Sequence, residues 1–175
     1  MHKSTTILLA ALAATPVAAQ VRQQPDLTLE AGRRLTGAAI DACRSQGRAI
    51  VVAVLDSGGN LVALQRADGV GPHNIEASRR KAYTALSTRN ATLDLARQAQ
   101  ATPDARNLAS LPELLLLGGG VPLLADGQVV GAIGVAGGGG ATNDHACALA
   151  AIAAVPGLDR PMPRIEGSTP DRARP

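Results

Sequence analysis

The sequence has almost no aromatic side chains. Its 175 residues include one tyrosine, Tyr83, and no phenylalanine or tryptophan. Proteins that bind single-stranded nucleic acid stack its bases on aromatic rings, and nucleic-acid-binding proteins in general concentrate basic residues on one surface. Here 17 basic residues are scattered among 14 acidic ones, so the formal net charge is only +3. Both observations argue against a nucleic-acid partner.

Apolar runs long enough to cross a membrane are also missing. Near the N-terminus, basic residues 2–3 precede an apolar run over residues 7–14, which is too short for a stable anchor. Small residues follow at 17–19. This pattern predicts a secretory signal peptide over residues 1–19, with cleavage before Gln20. We therefore expect a periplasmic or secreted protein without a membrane anchor.

Cysteine is scarce, and its two positions are far apart. Cys43 and Cys147 both lie on segments with a helical pattern. An oxidising compartment permits a disulfide between them, which would close a loop of about a hundred residues and stabilise the fold by roughly 4 kcal/mol on the chain-entropy model. Two buried free thiols are the alternative. The helical placement of both residues slightly favours the bridge.

Hydrophobic periodicity and turn residues predict the order of the secondary structure. Apolar residues at helical spacing alternate with pairs of short β-rich runs, and each pair is joined by a glycine-containing turn. The predicted helices cover residues 28–46, 74–89, 92–101 and 142–156. The predicted strands cover residues 49–55, 61–65, 114–117, 121–124 and 129–135, and residues 102–112 are expected to be irregular.

This order predicts an α+β fold, in which an antiparallel sheet of two hairpins carries flanking helices. The domain is expected to span residues 27–155, after a polar lead at residues 20–26. Residues 156–175 are rich in proline, arginine and aspartate and contain few apolar residues. They are predicted to form a flexible tail.

One candidate site is the loop between the first hairpin and the next helix. Two glycines and a proline precede His73, and His73, Glu76 and Arg80 share one helix face through i+3 and i+4 spacing. A neutral imidazole there could ligate a metal or a haem iron. His73 and Glu76 could also act as an acid–base pair. A histidine that merely caps or packs at a helix start would give the same pattern.

Two further groups of residues could line a ligand pocket. Lys81 is the sole lysine after residue 19, and it could meet a ligand carboxylate. Gly137 and Gly138 precede a predicted helix, whose free N–H groups could hold an anion. Asp144 in the first turn is also what an ordinary helix N-terminus favours. The chain lacks the Gly-Lys-Ser/Thr sequence of a P-loop, so that class of site is excluded.

Taken in order, several motifs resemble the GlcG/HbpS family. This is the haem-degrading domain family, which also includes the C-terminal domain of PduO-type proteins. The most specific motifs are Gly-Gly-Gly-Val-Pro at 118–122 and Val-Gly-Ala-Ile-Gly-Val at 130–135. Further matching segments lie at residues 54–61, 66–69, 77–86, 126–127 and 144–148. The resemblance covers roughly Leu27 to Val155.

The resemblance implies a profilin-like α+β domain that self-associates into a homo-oligomer and binds a small ligand. Haem or corrinoid binding is described for some members of the family. By matching motifs, His73 would contact the haem iron, and Arg80 and Lys81 would meet the propionates. The remaining expected ligand contacts are Asp68, Gly69, Gly119, Gly137 and Gly138. One departure is the lack of aromatic rings, because Leu, Ile and Val alone would have to cover the macrocycle.

Three functions are compatible with these observations. The first is an exported protein that binds a small ligand, with haem or a related tetrapyrrole as the leading ligand. The second is an enzyme or accessory protein that acts on a small hydroxy-acid metabolite through His73 and Glu76. The third is a scaffold whose function is its own assembly.

Overall fold

The computed structural model describes residues 23–160. Within this range the chain forms five α-helices, one short 3-10 helix and four β-strands. The helices are α1 (Leu29–Arg44), α2 (His73–Thr88), α3 (Thr92–Ala101), α4 (Pro103–Arg106) and α5 (Ala141–Ala154), and the 3-10 helix is Asn107–Ser110. The strands are β1 (Val51–Asp56), β2 (Leu61–Arg66), β3 (Gly120–Ala125) and β4 (Gln128–Ala136).

The four strands form one antiparallel sheet with the order β2-β1-β4-β3. Each outer strand is joined to an inner one by a hairpin, and the hairpins meet where β1 pairs with β4. The central strands β1 and β4 consist mainly of buried Val, Ile, Leu, Ala and Gly, as expected for strands covered on both faces. The predicted α+β fold with a sheet of two hairpins is therefore confirmed.

Helices cover both faces of the sheet. On one face, α1 and α5 pack over Val52, Val54 and Ile133 to form the main core. On the other face, α2 packs Ala82 and Ala85 over a smaller cluster that includes sheet residues. This three-layer arrangement buries the sheet and fixes the position of the N-terminus of α2.

Glycines let α2 lie unusually close to the sheet. Gly120 and Gly134 are partners in the β3–β4 register. A Cβ on Gly134 would lie 2.6 Å from the backbone nitrogen of Ala82, and one on Gly120 would lie 2.7 Å from the carbonyl carbon of Lys81. No side chain fits in that space, so these two glycines set the distance between helix and sheet.

The two cysteines form a disulfide between α1 and α5. Cys43 lies in the last turn of α1, and Cys147 lies in the second turn of α5. Both residues are fully buried in the main core. The bridge that the sequence slightly favours is therefore present, and it ties the first helix to the last across 104 residues of sequence.

The strand predicted at residues 114–117 is wrong. The backbone N–H of Leu115 donates to Thr84 Oγ1 at 2.8 Å, and the carbonyl of Leu117 accepts from Thr92 Oγ1 at 2.8 Å. Side chains of α2 and α3 thus satisfy polar groups that a strand would present to a neighbouring strand. Residues 103–110, expected to be irregular, instead form the short helix α4 and the 3-10 helix. The other predicted boundaries differ from the structure by a few residues.

The ends of the chain are only partly described. The predicted signal peptide, residues 1–19, lies outside the described residues, as does most of the predicted tail. The first tail residues are bonded to the domain, because Asp159 donates its N–H to Leu124 O and accepts from the N–H of Gly127, both at 2.8 Å. Among the described residues, no helix is long and apolar enough to cross a membrane.

Candidate functional site

Three loops meet at one end of the sheet. Val51, the first residue of β1, pairs with Arg66 at the end of β2 and with Ala136 at the end of β4. The residues before β1, after β2 and after β4 must therefore lie side by side. This strand pairing brings together segments that are distant in sequence.

An open pocket of about 410 Å³ lies where these loops meet. Its wall contains three of the glycines expected to contact a ligand, Gly69, Gly137 and Gly138. Glycine is required at two of them: Gly69 has φ +76° and Gly137 has φ +101°. A Cβ on Gly69 would meet no described atom within 4 Å, so this part of the wall is open. The complete lining is Gly47, Arg48, Ala49, Gly69, Val70, Gly71, Asn74, Gly137, Gly138 and Gly139.

His73 stands at the edge of this pocket. It is the first residue of α2, directly after Pro72, and its imidazole is exposed. Its ring lies against Gly71, a pocket residue, because a Cβ on Gly71 would be 3.0 Å from His73 Cε1. Asn74 holds the loop by donating from Nδ2 to Gly71 O at 3.1 Å. The imidazole is thus available to a ligand that enters from solvent.

A second, basic pocket of about 390 Å³ adjoins the first and shares Arg48 and Ala49 with it. Arg44, Arg48 and Arg66 contribute guanidinium groups, and Asp68 contributes the one carboxylate of the lining. Arg66 donates to Val70 O at 3.0 Å, and Arg48 donates to Gly138 O. The sequence pattern did not identify Arg44 or Arg48 as candidate site residues. Arg44 is the last residue of α1 and Arg48 lies in the loop before β1, and neither segment carries a recognisable binding motif.

Lys81 lies inside the domain and lines neither pocket. It is 1% exposed, and its ammonium group donates to Asp144 Oδ2 at 2.8 Å and to Val135 O at 2.9 Å. It is also eight residues along α2 from His73, or about 12 Å along the helix axis. The ammonium group of Lys81 is therefore paired with Asp144 in this structure, and the contact between Lys81 and a ligand carboxylate stays a prediction.

Gly119 and Arg80 also face the interior. A Cβ on Gly119 would crowd Val135 O and would lie 3.2 Å from Lys81 Nζ, so this glycine makes room for the buried ion pair. Arg80 is half-buried and donates from Nη2 to Leu114 O at 2.6 Å. Neither residue lines the two pockets described above, whereas Gly69 lines the first of them.

Glu76 is exposed and is bonded to Arg79 in a two-point contact, with distances of 2.7 and 2.9 Å. This hydrogen bonding lowers the pKa of the Glu76 carboxyl below its usual value, with a smaller contribution from the charge of Arg80. A carboxylate held ionised by a neighbour is a weak proton donor near neutral pH. Of the two roles in an acid–base pair, Glu76 would therefore be restricted to that of the base.

Asp144, in the first turn of α5, bonds to the glycine turn that precedes the helix. Asp144 Oδ1 accepts the N–H of Gly138 at 2.7 Å, while its other oxygen binds Lys81. An external anion would have to displace that carboxylate in order to bind the N–H of Gly138. Across residues 23–160, no group of three or more His, Cys, Asp or Glu side chains is arranged to hold a metal ion.

Comparison with known proteins agrees with this architecture. The family described as "Haem degrading protein HbpS-like" matches residues 27–153. The chain belongs to the HbpS-like family. The membership expected from the glycine-rich motifs is thus confirmed, and the domain described above is the HbpS-like domain.

Relatives of this HbpS-like chain include one curated protein and two solved structures. GlcG of Escherichia coli K12 is 38% identical over 86 residues, covering 49% of this chain and 63% of GlcG. A crystal structure of a Streptomyces reticuli HbpS double mutant is 37% identical with a TM-score of 0.73, covering 82% of this chain and 97% of that one. The crystal structure of a PduOC–haem complex is 26% identical with a TM-score of 0.69, covering 77% and 98%.

Proposed function

We propose that this HbpS-like protein is exported and binds a small ligand, with haem or a related tetrapyrrole as the leading ligand. The observation that carries the proposal is the exposed imidazole of His73 at the edge of a glycine-walled pocket. The family description and the haem complex of PduOC support it. The disulfide supports export, because such bonds persist mainly in oxidising compartments.

The residues at this end of the domain are of chemical types that can bind haem. Imidazole is a common axial ligand of haem iron. The glycine wall leaves room for a flat group, and Ile40, Ala49 and Val70 give the two pockets apolar lining. These aliphatic side chains replace the aromatic rings that the sequence lacks. When bound, haem would supply a redox-active iron at this surface.

This chain's own residues would then have distinct tasks. His73 would hold the iron, and Pro72 and the first turn of α2 would fix the direction of the imidazole. Gly69, Gly137 and Gly138 would shape the wall. Lys81 and Gly119 would act only through the fold, by keeping α2 and α5 together.

Self-association is part of the proposal. Leu111 and Leu117 are 47% and 46% exposed on the segment before β3. Apolar side chains of this kind suit contact with another copy, and an assembled partner could cover the open side of the pocket. A scaffold that binds no ligand remains an outcome of the experiment below.

The test uses the full chain, produced in a bacterium and recovered from the exported fraction. We expect a mature N-terminus at Gln20, a native mass above that of one chain, and a shifted Soret band when haemin is added. His73→Ala should weaken haemin binding by at least tenfold. Ser87→Ala, an exposed position near the far end of α2, is the control and should bind haemin like the wild type.

An unshifted Soret band in the wild type would exclude haem as the ligand. An unchanged band in His73→Ala would remove His73 from the site while leaving haem binding possible elsewhere. Retention in the cytoplasm would contradict export, and a strict monomer would contradict self-association.

A further inference from the structure

The basic pocket is lined by three arginines. Arg44 comes from the end of α1, Arg48 from the loop before β1, and Arg66 from the end of β2. Asp68 is the single acidic residue in the lining, so the pocket carries a net positive charge. Asp41 contacts Arg44 at 3.1 Å, but both side chains are more than 70% exposed and the pair is weak.

Two of these arginines are held in place by backbone carbonyls. Gly138 O fixes one terminal nitrogen of Arg48, and Val70 O fixes one terminal nitrogen of Arg66. Guanidinium groups that are already oriented lose less conformational entropy when they bind an acceptor. The pocket is therefore preorganised for a ligand that can accept several N–H bonds.

Arg48 also carries an unsatisfied hydrogen-bond donor. Its Nε atom is buried and has no hydrogen-bond partner among the described residues. A buried donor without a partner is unfavourable, and a charged donor more so. The Nε edge of a guanidinium is one side of the fork that binds a carboxylate through two N–H groups. A carboxylate that reached this edge would relieve the cost.

We propose that the pocket formed by Arg44, Arg48 and Arg66 binds the carboxylate of a small molecule. It extends the proposed ligand-binding function to a second, adjoining pocket. The carboxylate has two possible sources, a propionate of haem bound beside His73 or a free small carboxylic acid. In either case these arginines bind the carboxylate, which is the role that the family resemblance implied for Arg80 and Lys81.

The first arm of the test uses succinate and no haem. Calorimetric titration of the mature chain should show succinate binding, and Arg66→Gln should weaken it by roughly tenfold or more, as expected for the loss of a charge-assisted hydrogen bond. Arg33→Gln is the matched control, because it makes the same charge change on an exposed residue of α1 about 16 Å from Arg44 along the helix. This variant should bind succinate like the wild type.

The second arm compares haemin with haemin dimethyl ester, whose propionates are blocked. If propionates occupy the pocket, the ester should bind the wild type more weakly than haemin, and Arg66→Gln should abolish the difference. Arg66→Lys should restore only part of it, because lysine keeps the charge but not the fork. Unfolding curves of all variants will show that each remains folded.

The two arms separate this proposal from the proposed haem function. Succinate binding that Arg66→Gln weakens supports a free acid even if haem never binds. A difference between haemin and its ester that depends on Arg66 supports a propionate. The carboxylate site is overturned if neither effect is seen, or if Arg33→Gln has the same effect as Arg66→Gln, which would reveal attraction to net charge alone.

Discussion

Lys81 and Asp144 form an ion pair that is almost completely removed from water. Their side chains are 2% and 6% exposed. Val135 O accepts a second bond from the ammonium group, and the N–H of Gly138 donates to the second carboxylate oxygen. Such a pair offsets its own desolvation only while both partners are present. Its function is to join α2 to α5 beside Gly119.

Removing one partner of this pair should be strongly destabilising. We expect Lys81→Met to lower the free energy of unfolding by about 3–5 kcal/mol, because the Asp144 carboxylate would stay buried without its counter-charge. Lys81→Met with Asp144→Asn should cost less than Lys81→Met alone. Urea unfolding measures both. Glu30→Gln, which breaks an exposed pair with Arg34, is the control and should cost under about 1 kcal/mol; an equal loss there would refute the argument.

His145 is a half-buried titratable residue, and its buried Nδ1 atom has no hydrogen-bond partner among the described residues. Burial lowers the pKa of its imidazole from the usual 6.5, while Asp94 opposes the shift and Arg97 adds to it. The unfolded chain therefore binds a proton before the folded chain does. This difference makes the folded state less stable in acid.

The lowered pKa of His145 in the folded state sets the expected pH dependence of stability. His145 contributes its full stability above about pH 6.5, and the contribution should be lost as pH falls from 6.5 towards the lowered pKa of the folded state. Urea unfolding from pH 7.5 to 5 should show this decline in the wild type and a shallower one in His145→Gln. His73→Gln, measured without ligand, removes an exposed imidazole for comparison. Identical slopes in wild type and His145→Gln would contradict the assignment.

Among the elements, α1 and α5 depend most on each other. They pack side by side over the same face of the sheet, and the Cys43–Cys147 bridge links them inside the core. Gly138, in the turn before α5, lies close to this bridge, because a Cβ there would be 3.5 Å from Cys43 Sγ. The bridge thus supports the turn that walls the ligand pocket.

Loss of the Cys43–Cys147 bridge should lower the free energy of unfolding. A cross-link that closes about a hundred residues contributes roughly 4 kcal/mol by restricting the unfolded chain. We expect reduced wild type and the Cys43→Ala/Cys147→Ala variant to unfold at lower urea concentration than oxidised wild type. Thiol titration in urea is the check on the starting state, since two free thiols in the exported protein would show that the bridge does not form.

At the scale of the whole molecule, the site exists because of how the hairpins pair. The sequence predicted both hairpins, but a hairpin turn specifies only its own two strands. The β1–β2 pairing places residues 47–49 beside residues 69–71, and the β1–β4 pairing adds residues 137–139 from the other hairpin. Arg48 and Arg66 come together through the first hairpin, in which Val51 pairs with Arg66. Arg44 joins them because α1 packs on that hairpin, and this tertiary contact is the part of the basic pocket that the sequence pattern does not specify.

The sequence by itself determined the fold class, the four longer helices, the two hairpins and the HbpS-like membership. These depend on apolar periodicity and on glycines at turns and close contacts, which are local properties of the chain. It also placed His73 at the start of a helix, as the structure does. Tertiary structure alone decided that Lys81 is buried, that Gly119 accommodates an ion pair and that three arginines share a pocket. Burial and charge pairing depend on residues 63 to 90 positions apart, such as Lys81 with Asp144 and Arg48 with Gly138, so no local pattern encodes them.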